Sequence, residues 1–67
     1  METRERILLA TFDVVAKNTI NGTRMPMIAR QAGISQGLIH YHFHTKEKLL
    51  IAMCKWLFAS LREYRGV

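Results

Sequence analysis

The stretch QAGISQGLIHYHFH, Gln31 to His44, decides the fold. Gly33 follows the last residue of an apolar helical pattern, where the end of a helix favours a residue with positive φ. Ile34 brings an apolar side chain into the turn, and Ser35 is a favourable N-cap for a following helix. A helix that ends in Ala-Gly, a short turn and a second capped helix together predict a helix-turn-helix.

The second half of this stretch, LIHYHFH from Leu38 to His44, fits two structures. As a strand it would place its three histidines on one face, which is a candidate site for zinc, copper or iron. As a helix it would scatter them and turn Ile39 and Phe43, one turn apart, towards the core. Capping residues before and after it (Ser35 and Thr45) and the lack of a second strand-like run favour the helix. The sequence therefore predicts a short exposed helix and no metal site.

The segments before this stretch also predict helices. The first extends from Thr3, the expected N-cap, to about Asn18. Its expected apolar face consists of Ile7, Leu8, Thr11, Phe12, Val14 and Val15. The cluster NTINGT, Asn18 to Thr23, interrupts the helical pattern, and a second helix is expected to begin near Met25. The apolar edge of this second helix consists of Ile28, Ala29 and Ala32.

The last segment, Lys46 to about Arg65, predicts a long helix with a wide apolar surface. Apolar side chains cover about two-thirds of its circumference, more than a surface helix usually buries. They are Leu49, Leu50, Ile51, Met53, Cys54, Trp56, Leu57, Phe58, Leu61 and Tyr64. Three short helices cannot cover this surface, so a part of the protein outside these 67 residues is expected to pack on it. Cys54 is expected to be a buried, inert thiol.

Length and composition restrict the class of protein. Sixty-seven residues form one small domain, whose core leaves little room for an enzyme pocket. Ten Lys/Arg against five Asp/Glu give a net charge of +5, which favours a polyanionic partner: nucleic acid first, an anionic membrane surface second. The single cysteine, and the absence of a long apolar run or a signal-peptide cleavage site, predict a cytoplasmic protein. No catalytic motif or cofactor-binding loop occurs, so neither an enzyme nor a cofactor is expected.

Three segments, RERILLATFDVVA, MIARQAGISQGLIHYHF and TKEKLL, resemble in order and spacing the DNA-binding domain of the tetracycline-repressor family. The resemblance implies an all-α fold, with a three-helix helix-turn-helix domain in residues 1–48 and the motif at about 24–43. Residues 46–67 would begin helix four, which links to an effector-binding and dimerisation domain absent from this chain. Such proteins are sequence-specific regulators, most commonly repressors. They bind a palindromic operator as homodimers and leave it when a small-molecule effector binds.

The resemblance also implies which residues touch DNA. The second helix of the motif, Gln36 to Phe43, would enter the major groove. The residues expected to contact base edges are Gln36, Gly37, Leu38 and Tyr41. The residues expected to contact phosphates are Arg24, His40, His42 and Lys46. Three other arginines are expected to be solvated charges, namely Arg4, Arg6 and Arg30. For Arg4 the alternative is a DNA contact from the N-terminal arm.

Three positions depart from the family pattern. His40 replaces a tyrosine that commonly contacts phosphate, and Pro26 replaces an arginine with which some members read a base. Both departures affect which operator is recognised. Thr19 replaces the usual glycine after the first helix, and Gly22 is expected to supply the turn instead.

The sequence is also compatible with two other functions. A basic helical bundle could be an interaction module that docks to a protein partner through its apolar C-terminal helix. Binding to a membrane surface is less favoured, because the apolar residues of that helix do not face a row of lysines. DNA binding predicts basic residues clustered at Arg24, the segment from Ser35 to His44, and Lys46. Docking predicts instead an exposed surface around Trp56 and Phe58.

Overall fold

The computed structural model describes residues 2–65, with side chains for residues 2–63. Within this part the chain forms four helices, α1 (Thr3–Asn18), α2 (Met25–Ala32), α3 (Gln36–His42) and α4 (Lys46–Arg65). Residues 2–65 contain no strand, so the all-α prediction is confirmed. Leu38 to His42 are helical as expected, but Phe43 and His44, predicted in the same helix, lie beyond its end because the Phe43 backbone is extended, with φ −137° and ψ 110°. The side chain of Tyr64, predicted to join the apolar surface of α4, lies outside the described residues.

Helix α1 is the centre of the packing. It contacts both α2 and α4, while α3 packs on α2. The core that these helices enclose consists of Ile7, Leu8, Ala10, Val14, Ile28, Ala29, Ala32, Ile39, Phe43, Leu49 and Met53. Two threonine hydroxyls in this interior are satisfied locally: Thr11 donates to the Ile7 carbonyl at 2.7 Å and Thr23 to the Thr19 carbonyl at 2.6 Å.

Two details of α1 differ from the prediction. The expected N-cap, Thr3, is the first helical residue, and Glu2 is the N-cap although its side chain makes no capping hydrogen bond. The Glu2 carbonyl accepts the N–H of Arg6 at 3.0 Å, which starts the helix one residue earlier. Phe12 was expected in the core but is 42% exposed. It lies about 100° around the helix from the buried Thr11, beyond the face that α2 and α4 cover.

The turn between α1 and α2 is built on Thr19. Its φ of 65° is the only positive φ of a non-glycine residue in the described chain, so the prediction that Gly22 supplies the turn is wrong. Thr19 tolerates this conformation because three hydrogen bonds hold it. Its N–H donates to Val15 at 2.8 Å, its carbonyl accepts the Thr23 hydroxyl at 2.6 Å, and its hydroxyl accepts the Gly22 N–H at 3.4 Å.

Gly22 is needed for a different reason, the close approach of its backbone to α1. A β-carbon at this position would collide with the carbonyl oxygen of Asn18, a backbone atom that cannot move away without distorting the end of α1. We therefore expect Gly22→Ala to lower the free energy of unfolding by about 1–2 kcal/mol. Urea denaturation followed by circular dichroism measures this change. Gly37→Ala is the matched control, and equal stabilities for the two variants would contradict the explanation.

The turn between α2 and α3 has the predicted geometry. Gly33 is left-handed, with φ 72° and ψ 33°. Its N–H and that of Ile34 both donate to the Ala29 carbonyl, at 2.9 and 3.1 Å, which closes the last turn of α2. The Ser35 hydroxyl then accepts the N–H of Leu38 at 3.1 Å and caps α3. These bonds fix the angle at which α3 leaves α2.

Arg6 also stabilises this turn. Its Nη2 donates to the Ala32 carbonyl at 2.7 Å, across 26 residues of sequence. The prediction that Arg6 is only a solvated charge is therefore wrong, because the end of α2 leaves carbonyl groups without a partner within the helix. Helix α1 thus supports the helix-turn-helix both by packing and by this hydrogen bond.

Helix α4 begins as predicted, with the Thr45 hydroxyl accepting the N–H of Lys48 at 3.1 Å. Leu49 and Met53 face the core, at 0% and 5% exposure. The other side is uncovered, and its exposed apolar side chains include Ile51, Phe58 and Leu61. Cys54, expected to be buried, is exposed on this uncovered side. It is the residue after Met53 and therefore points about 100° away from the core-facing row.

Candidate nucleic-acid interface

Helix α3 is attached to the core by one side only. Ile39 is fully buried, and Phe43, the residue that ends the helix, is 6% exposed. At about 100° per residue, Gly37 and Tyr41 point almost directly away from Ile39. Leu38 and His40 lie on the two flanks between these directions. The helix therefore presents a narrow outward ridge, and an α-helix fits the major groove, which is about 12 Å wide.

The structure brings the four predicted base-contacting residues together on α3. Gln36, Gly37 and Tyr41 are exposed, and Leu38 is half-buried. Among the large hydrophobic side chains of the described residues, Tyr41 is the most exposed, at 77%. Exposure of a large aromatic ring beside polar side chains is typical of a surface that contacts a partner.

Gly37 is not required by the packing of the chain itself. A β-carbon there would meet only the Ser35 hydroxyl oxygen, at an ordinary contact distance of 3.9 Å. Glycine in a helix is less stable than alanine by about 0.5–1 kcal/mol, so folding alone would favour a larger residue. A glycine at the most outward position of α3 therefore suits close approach of a partner to the backbone.

The histidines occupy different surroundings. His40 and His44 are exposed, whereas His42 is half-buried. The His42 ring lies edge-on to the Tyr41 ring, with centroids 5.3 Å apart and planes at 89°, and 6.4 Å from the Phe43 ring. These contacts restrict the His42 ring and support the position of Tyr41. Within the described residues, no group of three His, Cys, Asp or Glu side chains is arranged to hold a metal ion.

The remaining predicted phosphate contacts lie at helix starts. Arg24 is the N-cap of α2, is exposed, and makes no side-chain hydrogen bond to that helix. Lys46 is the first residue of α4 and is half-buried. Arg30 is exposed on α2, as expected for a solvated charge.

Charge is segregated along the chain. All five carboxylates lie outside the segment from Val14 to Lys46, at Glu2, Glu5, Asp13, Glu47 and Glu63. That segment spans the helix-turn-helix and carries Lys17, Arg24, Arg30 and Lys46 with no acidic residue. An excess of positive charge creates a field that attracts polyanions. None of the helices that the structure describes has the combined length and apolarity to cross a membrane.

The contact that positions the Arg4 side chain was not predicted from the sequence. Its guanidinium carbon lies 5.4 Å from the centroid of the Phe43 ring, a cation–π contact between the start of α1 and the end of α3. Arg4 also lines a groove with Lys48, Lys55 and Trp56 of α4. No sequence pattern connects Arg4 to Phe43, because the contact depends on how α1 packs beside the α3–α4 junction. The spacing of the α4 lysines, in contrast, is visible in the sequence.

Residues 7–53 match a family described as "Bacterial regulatory proteins, tetR family". The chain is 33% identical over 63 residues to the "HTH-type transcriptional regulator CymR" of Pseudomonas putida, covering 94% of this chain and 31% of that protein. It is 34% identical over 61 residues to the "HTH-type transcriptional repressor NicS" of Pseudomonas putida, covering 91% and 29%. It is 37% identical over 60 residues to the "HTH-type transcriptional regulator BetI" of Rhizobium meliloti, covering 90% and 30%. The chain spans about a third of the length of these relatives.

Proposed function

The chain belongs to the tetR family of bacterial regulatory proteins, and from this premise we propose that it is the DNA-binding part of a transcriptional regulator, not an enzyme. The observation that carries the proposal is the arrangement of α3. Ile39 and Phe43 hold one side of this helix in the core, while Gly37 and Tyr41 face outwards. Such a helix inserts into the major groove without loss of its own packing.

Base recognition is assigned to the exposed residues of α3 and to Leu38 on its flank. The Gln36 amide can donate to and accept from the edge of an adenine, which is a sequence-specific pairing. Leu38 and the Tyr41 ring offer apolar surface to thymine methyl groups. Gly37 lets the helix backbone come close to the bases, since no side chain intervenes.

Phosphate contacts are assigned to Arg24, His40, His42 and Lys46. Phosphate contacts set the position and register of the protein on the duplex but carry little sequence information. They also release counterions, so affinity is expected to fall steeply as salt rises. The segregation of charge along the chain supports this assignment, because no carboxylate lies between Val14 and Lys46 to oppose the duplex.

For the whole regulator we propose a cytoplasmic homodimer that represses transcription from a palindromic operator and is released by a small-molecule effector. One relative is named a repressor, and the relatives are about three times as long as this chain. In this proposal residues 1–48 are the DNA-binding domain. Residues 46–67 are the segment that leads to a dimerisation and effector-binding domain. The uncovered Ile51, Phe58 and Leu61 of α4 supply an apolar surface for that domain.

The test is fluorescence anisotropy of this chain on a duplex from its own upstream region and on a scrambled duplex, each over a salt series. We expect tighter binding to the upstream duplex, with the difference persisting at moderate salt. Equal binding that depends only on salt would contradict base reading by α3. It would favour the second candidate, a protein-docking module, for which the exposed Phe58, at 67%, is the supporting observation.

Lys46→Ala is expected to weaken binding to both duplexes by the same factor. Loss of one phosphate contact should reduce the slope of log K against log salt by about 0.9. The ratio of the two affinities should not change. The control is Arg62→Ala, which removes a cation about 24 Å further along α4. An unchanged slope for Lys46→Ala would remove Lys46 from the phosphate contacts.

A further inference from the structure

A groove between the start of α1 and one side of α4 brings together two cations that the proposed DNA contacts do not include. Arg4 at the start of α1 and Lys48 in the first turn of α4 both line it. Phe43, whose ring lies 5.4 Å from the Arg4 guanidinium carbon, is the residue that ends α3. Arg4 is therefore held beside the helix that carries the candidate base contacts.

We propose that Arg4 and Lys48 form a second phosphate site, which binds the DNA backbone beyond the C-terminal end of α3. This inference rests on the proposed function, since it requires that α3 lies on duplex DNA. It adds to Lys46 a pair of cations from two helices, Arg4 of α1 and Lys48 of α4.

The chemistry of the groove favours an anion. Its lining includes three cations, Arg4, Lys48 and Lys55, and no carboxylate. Like charges in one groove repel each other, and a bound anion offsets that repulsion because it attracts each cation. Duplex DNA supplies such anions in a regular row along each strand.

Arg4 is suited to phosphate in particular. Its guanidinium carbon lies 5.4 Å from the centroid of the Phe43 ring. The fork of N–H donors on a guanidinium group matches the oxygens of a phosphate. The contact also restricts the long Arg4 side chain before DNA arrives. Less conformational entropy is then lost on binding than for a free arginine.

The cations of α4 indicate which part of the helix lies near DNA. Lys48, Lys55 and Arg62 recur every seven residues and therefore share one stripe of the helix. Successive members of the stripe are about 10 Å further from the α3–α4 junction. A duplex held by α3 reaches Lys48 first, whereas a partner bound along the whole of α4 would use all three cations alike.

The experiment measures the salt dependence of binding to the upstream and scrambled duplexes for Arg4→Gln, Lys48→Gln and the double variant. Each single change should lower the slope of log K against log salt by about 0.9, and the double change by about 1.8. The ratio of the two affinities should be unaffected. Lys55→Gln should have a smaller effect and Arg62→Gln none. Arg4→Lys, which keeps the charge, should retain most of the slope.

Phe43→Leu tests the positioning of Arg4. This change keeps an apolar side chain in the core but removes the ring face, so Arg4→Gln should cost less affinity in the Phe43→Leu background than in the original chain. Circular dichroism melting establishes that each variant is folded. Should Arg4→Gln fail to fold, Lys48→Gln and Arg4→Lys still test the site.

Two failures can be told apart. If the unmodified chain does not prefer the upstream duplex, the proposed function fails and the second site fails with it. If it does prefer that duplex while Arg4→Gln and Lys48→Gln give the slope of Arg62→Gln, only the second site is wrong. Equal losses for Lys48, Lys55 and Arg62 would also overturn the site, in favour of a partner bound along α4.

Discussion

Ile39→Ala is expected to lower the free energy of unfolding by about 2–5 kcal/mol and to abolish sequence-specific DNA binding, although the Ile39 side chain faces away from the proposed DNA surface. Ile39 is fully buried and is the one core residue within the seven residues of α3. Its removal leaves the helix attached mainly through Phe43. A domain of this size has little stability in reserve, so a loss of this magnitude is a large part of the total.

Urea denaturation, followed by circular dichroism, and anisotropy on the two duplexes measure the two effects. Ile39→Val is the graded control, with an expected loss of about 0.5–1.5 kcal/mol, because it removes one methylene group. If Ile39→Ala kept both the unfolding midpoint and the preference for the upstream duplex, α3 would not depend on this contact. The assignment of inward and outward faces of α3 would then be wrong.

The sequence predicted the helices well because each is defined by short-range chemistry. Gly33 and Ser35 fix the turn within a few residues, and the hydrogen bonds of both are those expected from their types. The inward direction of Ile39 and Phe43 follows from helical spacing once α3 is known to be a helix. The exposed side of α3 is then determined as well.

The errors concern features that depend on neighbours in space. Helical periodicity placed Phe12 and Cys54 on apolar faces and so predicted that they are buried. Both are exposed, because the packing of the helices decides how much of each face is covered. In the turn after α1, Thr19 takes the positive φ, and Gly22 is needed to avoid a collision with Asn18. Residue preferences alone do not predict which of the two residues has which role. A preference for glycine at positive φ is statistical, and hydrogen bonds can overcome it at one position.

Sequence patterns did not predict contacts between residues that are far apart in the chain. Arg6 joins α1 to the end of α2, and Arg4 lies on the Phe43 ring. Both arginines were predicted to be solvated because a charged residue on the polar side of a helix usually is. The base and phosphate assignments have a different origin. They come from the family resemblance, and the exposure of Gly37 and Tyr41 adds a physical reason for two of them.

Tyr41→Ala is expected to reduce the ratio of affinities for the upstream and scrambled duplexes while leaving stability nearly unchanged. Tyr41 is 77% exposed, so its loss should change the free energy of unfolding by no more than about 0.5 kcal/mol. A lost base contact costs about 1–3 kcal/mol on the specific duplex, which lowers the ratio roughly 5- to 150-fold. The slope against salt should stay the same, because no charge is removed.

Tyr41→Ala should lower the affinity ratio and keep the salt slope, whereas Lys46→Ala should keep the ratio and lower the slope. Anisotropy over the salt series distinguishes the two variants in one set of measurements. Tyr41→Phe is the matched control. It keeps the ring that would pack on a thymine methyl group and loses only the hydroxyl, so most of the affinity ratio should remain. If Tyr41→Phe lost as much as Tyr41→Ala, the hydroxyl rather than the ring would carry the contact. If Tyr41→Ala weakened both duplexes equally, the outward ridge of α3 would position the protein without reading sequence.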